Sequence, residues 1–121
     1  DMVKVSDEDL AWLCGDNAPE ASIEAWLESG PSLVVVTRGA GGATGYMTGW
    51  SVHVPAPPVQ IVDTVGAGDT FNAALATFWH LGLAEAIRRA CAAAALSVTR
   101  LGAQGGMPTL SELDDFLARQ A

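Results

Sequence analysis

Leu33-Val-Val-Val-Thr37 limits the folds open to this chain more than any other stretch. A strand wetted on one side alternates apolar and polar residues, whereas an unbroken, largely β-branched run needs cover on both faces. The run therefore predicts a central strand of a mostly parallel sheet with helices on either side, an α/β fold. The chain has 121 residues and is 50% hydrophobic, enough for one modest domain with a real core over residues 1–121.

Around that strand the helix signals are regular. Ser6, followed three residues later by Asp9, reads as an N-cap with an acidic N3 partner. It opens a short helix with Leu10, Trp12 and Leu13 as its apolar residues and Gly15 as its stop. Pro19 suits the first turn of a second helix, whose Ile23, Trp26 and Leu27 recur at i, i+3 and i+4 as one buried face. Gly39, Gly41 and Gly42 make a turn after the central strand. Ala43–Met47 and Trp50–Val54 then read as a hairpin-like pair, stopped by Pro55, Pro57 and Pro58. Further helices are predicted over 67–80, 83–99 and 111–118, the last with Ser111 and Asp114 spaced as a capping box. The alanines of 90–95 allow close packing on a neighbouring helix, and the four tryptophans are expected in packing roles.

Fourteen acidic against six basic residues give a net charge of −8 with no basic cluster, which makes nucleic acid a poor partner. Arg88 and Arg89, adjacent on a predicted helix, are expected to be solvated or ion-paired. Cys14 and Cys91 belong to no metal or redox spacing, so a reducing cytoplasm is the natural location. No apolar run reaches the length of a membrane span, and no membrane role is expected. His53 and His80 have no ligand partners at metal-binding spacing.

The chemistry concentrates in residues 63–72, Asp-Thr-Val-Gly-Ala-Gly-Asp-Thr-Phe-Asn. Gly66 and Gly68 let the backbone approach a ligand closely, so that successive N–H groups converge on an anion at the start of a helix. Asp69 stands beside that anion site. A carboxylate is a poor phosphate ligand but a sensible base for an attacking hydroxyl. Its other role would be a helix-start acid favoured by the macrodipole. The Gly-Lys-Ser/Thr ending of a P-loop and the third glycine of a dinucleotide fingerprint are both missing.

This motif closely resembles the C-terminal signature of the ribokinase-like, or PfkB, family of carbohydrate kinases. Val36-Thr37-Arg38-Gly39 resembles the family's nucleotide-binding turn. Lys4-Val-Ser-Asp-Glu-Asp9 is similar to the segment where members often have Asn-x-x-Glu, and residues 92–104 resemble the helix and loop that close the adenine and cation sites. The resemblance implies a ribokinase-like fold in which this chain is the C-terminal, ATP-binding portion, without the part that carries most sugar contacts and the lid. It implies ATP-dependent phosphorylation of a sugar hydroxyl. Similarity to bacterial fructokinases favours fructose, with ribokinase and 2-keto-3-deoxygluconate kinase as rivals and a non-catalytic nucleotide-binding fragment as the alternative from another class.

On the same resemblance Asp69 is the general base, and the N–H groups of Gly66, Ala67, Gly68 and Asp69 form the anion hole. Thr37, Arg38, Gly39, Gly41 and Gly42, with Gly68, hold the nucleotide. Cys91 falls where some members place an adenine-contacting asparagine, leaving mainly apolar packing around the base. Asp63 and the Val65 carbonyl, joined by carbonyls of Ser97, Arg100 and Gly102, resemble a K⁺ site, with Gly106 where some members offer a serine hydroxyl. Asp9 resembles the glutamate that organises Mg²⁺ through water, Ser6 replacing the asparagine. The intact kinase would be cytoplasmic and could form a homodimer.

Overall fold

The central strand forms as its composition demands: Val34, Val35 and Val36 in β2 (Leu33–Thr37) have no exposed surface. Each such side chain contributes about 1.5–3 kcal/mol relative to an exposed one. The structure, a computed structural model, describes residues 2–15, 18–62, 66–99 and 108–120. β2 pairs in parallel with β1 (Met2–Ser6) and antiparallel with β3 (Ala43–Met47), which pairs antiparallel with β4 (Trp50–Val54). The described sheet, in the order β1-β2-β3-β4, is thus mixed, because the hairpin adds two antiparallel pairings to one parallel pairing. β1 is a strand that the sequence does not announce: its residues read only as the approach to a helix.

Two cores lie on opposite faces of the sheet. On one, Val34 and Val36 meet Leu10 and Cys14 of α1 (Asp7–Cys14) and Ile23 of α2 (Pro19–Ser29). On the other, Leu33, Val35 and Ala43 meet α3 (Ala67–Thr77), α4 (Leu83–Val98) and α5 (Leu110–Gln120). Ala90, Ala92 and Ala93 are buried there, the close packing expected of the alanine run. Gly45 lies under α4: a Cβ on it would stand 2.8 Å from Ile87 Cδ1.

Three local expectations change. α1 turns Leu10 and Cys14, four residues apart, toward the sheet, which leaves Trp12 83% and Leu13 54% exposed. Trp26 packs on the α1/α2 core, but Trp50 on the edge strand and Trp79 in a short 3₁₀ turn are about half exposed. α5 begins at Leu110, so its capping box is Thr109 with Glu112 instead of Ser111 with Asp114. Thr109 N–H donates to Glu112 Oε1 at 3.0 Å, and Glu112 N–H donates to Thr109 Oγ1 at 3.2 Å. Arg88 and Arg89 are ion-paired, both to Glu85. Among the described residues no helix is long and apolar enough to cross a membrane.

Candidate active site

The carboxyl ends of β1 and β2 lie side by side, Ser6 in register with Thr37, and the Thr37 hydroxyl approaches the Val5 carbonyl at 3.5 Å. Ligands of parallel α/β sheets collect at such ends. There the chain leaves β2 through the turn 39–42, with Gly39 at φ +53° and Gly42 at φ +87°. A Cβ on Gly42 would run into the carbonyl oxygen of Val54, so the turn lies directly against the end of β4. Facing it, Gly66 caps α3 in the left-handed conformation at φ 82°, and the helix starts at Ala67.

Between these parts is a cavity of about 520 Å³. Thr37, Gly39 and Gly42 line it from the turn, and Ala67 and Gly68 from the start of α3. Phe71, Cys91 and Val98, with the proline-containing run 56–59, supply its apolar side. One end thus offers backbone donors and the positive end of a helix, and the other a slot for a flat apolar group. A second hollow of about 430 Å³, between α2 and the hairpin tip, carries Glu20, Glu24 and Glu28, which repel phosphate.

Asp69 is exposed in the first turn of α3, one residue beyond the cavity-lining Gly68. Among the described residues no hydrogen bond or ion pair engages its carboxylate, which leaves it open to a hydroxyl. Cys91 is buried at the cavity wall, and burial pushes its thiol up to about 11. It is therefore an uncharged packing surface near neutral pH. Gly41 sits in the turn but does not line the cavity, and the side chain of Arg38 lies on the opposite face of the sheet, bonded to Thr44 and Tyr46. Asp9 stands exposed in the first turn of α1, its N–H donating to Ser6 Oγ at 3.1 Å.

Lys4 joins the site from β1, a position the sequence alone does not single out. It is half-buried on β1, and its Nζ lies 3.6 Å from where a Cβ on Gly68 would be. Among the described residues no carboxylate pairs with it. An unpaired ammonium beside the positive end of a helix is favourable when an anion lies between them. Its available signal was the alternation of Met2–Ser6, which puts Lys4 on the same face as its register partner Val35.

Of the expected K⁺ ligands only Ser97 lies within the described residues; Asp63, Val65, Arg100 and Gly102, like Gly106, lie outside them. Ser97 is buried in the last turn of α4, where carbonyls lose their helical partners. Val62 N–H donates to the Val98 carbonyl at 2.6 Å, so the residue before Asp63 is held beside that helix end. For Mg²⁺, no three His, Cys, Asp or Glu side chains gather among the described residues.

The glycine turn after β2 and the start of α3 line one cavity of an α/β fold, with the Asp69 carboxylate one residue beyond it. The model of the pfkB family carbohydrate kinases matches residues 1–110, and the chain belongs to that family. It is 51% identical over 75 residues to a fructokinase of Rhizobium leguminosarum bv. trifolii, covering 62% of this chain and 23% of the relative. It is 43% identical over 102 residues to a ribokinase of Bacillus subtilis, covering 83% of this chain and 35% of the relative. A fructokinase from Xylella fastidiosa solved with bound ATP superposes with a TM-score of 0.89 at 31% identity, covering 99% of this chain and 43% of the other. A fructokinase double mutant from Vibrio cholerae solved with fructose, ADP and potassium gives 0.87 at 31% identity, over 96% and 40% of the two chains. The fold is therefore ribokinase-like, and the chain spans about a quarter to two-fifths of the length of these proteins.

Proposed function

We propose that the full-length protein phosphorylates a sugar hydroxyl with ATP, fructose being the first choice of sugar. One observation carries the reading: Asp69, with no partner among the described residues, stands in the first turn of α3 beside the cavity-lining Ala67 and Gly68. The adenine would occupy the apolar slot against Phe71, Cys91 and Val98, and its phosphates would run past Thr37, Gly39 and Gly42 toward the start of α3. The sugar hydroxyl gives its proton to Asp69 as its oxygen bonds the γ-phosphorus, and the bond from that phosphorus to the bridging oxygen breaks to release ADP. Backbone N–H groups of 66–69 meet the charge on the transferring group. Mg²⁺ would neutralise phosphate charge, with Asp9 reaching it through water. Asp63, Val65 and the carbonyls of Ser97, Arg100 and Gly102 would hold K⁺, which would brace the anion hole.

Fructose is supported by the 51% identity to a fructokinase, and ribose, the second choice, by the longer match to a ribokinase. The test is a coupled ADP-release assay on the full-length protein with fructose, ribose and 2-keto-3-deoxygluconate. ADP formed with none of these sugars would count against the proposal, and a higher kcat/KM for ribose would replace fructose.

A further inference from the structure

Arg38 begins the glycine turn, yet its side chain leaves on the face away from the cavity. Side chains alternate along a strand. Leu33 and Val35 face α4, with Thr37 on the cavity, whereas Val34 and Val36 face α1 and α2, and Arg38 continues the second series. Its guanidinium reaches to β3, the strand that leaves the turn, where Nη1 donates to Thr44 Oγ1 at 2.6 Å and Nη2 to Tyr46 OH at 3.3 Å. Thr44 Oγ1 is also 2.8 Å from Nδ1 of His53, its register partner on β4. A guanidinium only donates, so Thr44 Oγ1 accepts from it and uses its remaining hydrogen-bonding capacity on the His53 ring.

The turn spanned by this fork is otherwise held by backbone bonds: Arg38 N–H to Gly42 O at 2.7 Å, Gly41 N–H to Arg38 O at 2.8 Å and Gly42 N–H to Gly39 O at 3.0 Å. Three of its four residues, 39–42, are glycines. Glycine leaves the unliganded backbone wide freedom, so the turn's shape depends on what fixes its two legs.

We propose that Arg38 is a positioning residue for this turn: its fork onto Thr44 and Tyr46 sets the separation of the entering and leaving strands, and presets the turn for the phosphate end of a nucleotide without touching it. The inference rests on the reading of the cavity as a nucleotide site. A turn already held in its bound shape does not have to be ordered at the expense of affinity.

The test uses the full-length protein with Arg38→Met, Arg38→Lys, Thr44→Val, Thr44→Ser and the Arg38→Met/Thr44→Val double variant, titrated with ADP by calorimetry and assayed with ATP. Arg38→Met and Thr44→Val should each weaken ADP binding and raise the ATP KM by roughly three- to tenfold. Saturating kcat should stay within about twofold. The double variant should bind no more weakly than Arg38→Met, because one broken link already frees the turn. Arg38→Lys keeps the charge but lacks the fork, so it should behave like Arg38→Met, whereas Thr44→Ser keeps the hydroxyl and should bind like wild type. Two results overturn the proposal: undiminished ADP affinity in Arg38→Met, or wild-type affinity in Arg38→Lys alongside a silent Thr44→Val, the pattern of a direct phosphate contact. Wild-type protein that binds no ADP removes the nucleotide reading itself and is thereby distinguished from both. Thermal melts identify any variant that fails to fold, and the Thr44 pair still decides the matter if Arg38→Met is such a variant.

Discussion

Asp69 is the residue on which the proposed chemistry turns. Asp69→Asn keeps the shape of the helix start but removes the proton acceptor, so turnover should fall by roughly 10²–10⁴-fold while ADP affinity is nearly kept. A variant with most of its turnover left would reduce Asp69 to a helix-start acid. Lys4→Met tests the neighbouring cation: losing one charge-assisted contact to phosphate should weaken ADP roughly 10- to 100-fold by calorimetry, and unchanged affinity would leave Lys4 a solvated strand residue. Residue by residue, legibility followed backbone constraint. Gly66 announced a special backbone and does adopt the left-handed conformation, whereas Gly68 lies within α3 and has room for a Cβ, which would meet Lys4 Nζ at 3.6 Å. What could not be read was direction. Thr37 and Arg38 are neighbours in sequence but point to opposite faces of the sheet, so only one of them lines the cavity. Lys4 was equally opaque, because its meaning comes from Gly68, 64 positions away in the chain.

Elements with a strong local signal formed close to where the sequence puts them: β2 by its valines, the hairpin by its flanking glycines and prolines, α2 by its 3-4 periodicity. β1 escaped notice because Met2–Ser6 has neither the continuous apolar run of β2 nor the flanking turn residues of the hairpin, and its pairing with β2 is long-range. The turn after β2 is the element most sensitive to a single methyl group. Gly42→Ala combines a positive φ with a Cβ driven into the Val54 carbonyl, and should cost about 2–4 kcal/mol in urea unfolding; a loss below about 0.5 kcal/mol, the range of ordinary surface substitutions, would show that the turn yields freely. Arg89 ties α4 to α5 and to the residue just past α3: it pairs with Glu85 at 3.0 Å and Asp114 at 3.6 Å, and its guanidinium lies 4.9 Å from the Phe78 ring centroid. The hydrogen bond from Arg88, more than the Arg89 contact, holds the Glu85 carboxyl down from 4.5 to about 2. A depressed carboxylate stabilises the fold above its unfolded value and loses that contribution as pH falls through the folded one. Glu85→Gln should therefore be less stable than wild type at pH 7 by about 0.3–1 kcal/mol, discounted for a side chain one-third exposed. The gap should close between about pH 4.5 and 2, and a gap that is unchanged at pH 2 would rule out ionisation as its source.

At the scale of the molecule, the carboxyl ends of β1 and β2, the turn 39–42, the start of α3 and the end of α4 meet around one cavity, and the cation expected from the family would join two of these parts. The bond from Val62 N–H to the Val98 carbonyl already holds the approach to Asp63 against the last turn of α4. A K⁺ ion held by the Asp63 carboxylate and by carbonyls at the end of α4 would brace the backbone that leads into Gly66, and so act on the anion hole without meeting the substrate. Two consequences separate a brace from general salt effects. At constant ionic strength the full-length protein should turn over faster in KCl than in tetramethylammonium chloride, and its melting temperature should be higher in KCl, because an ion that binds only the folded chain stabilises it by mass action. Asp63→Ala should erase both differences together. Equal rates and equal melting temperatures in the two salts, with ATP, sugar and Mg²⁺ saturating, would leave Asp63 a turn-forming residue and the anion hole supported by α3 alone.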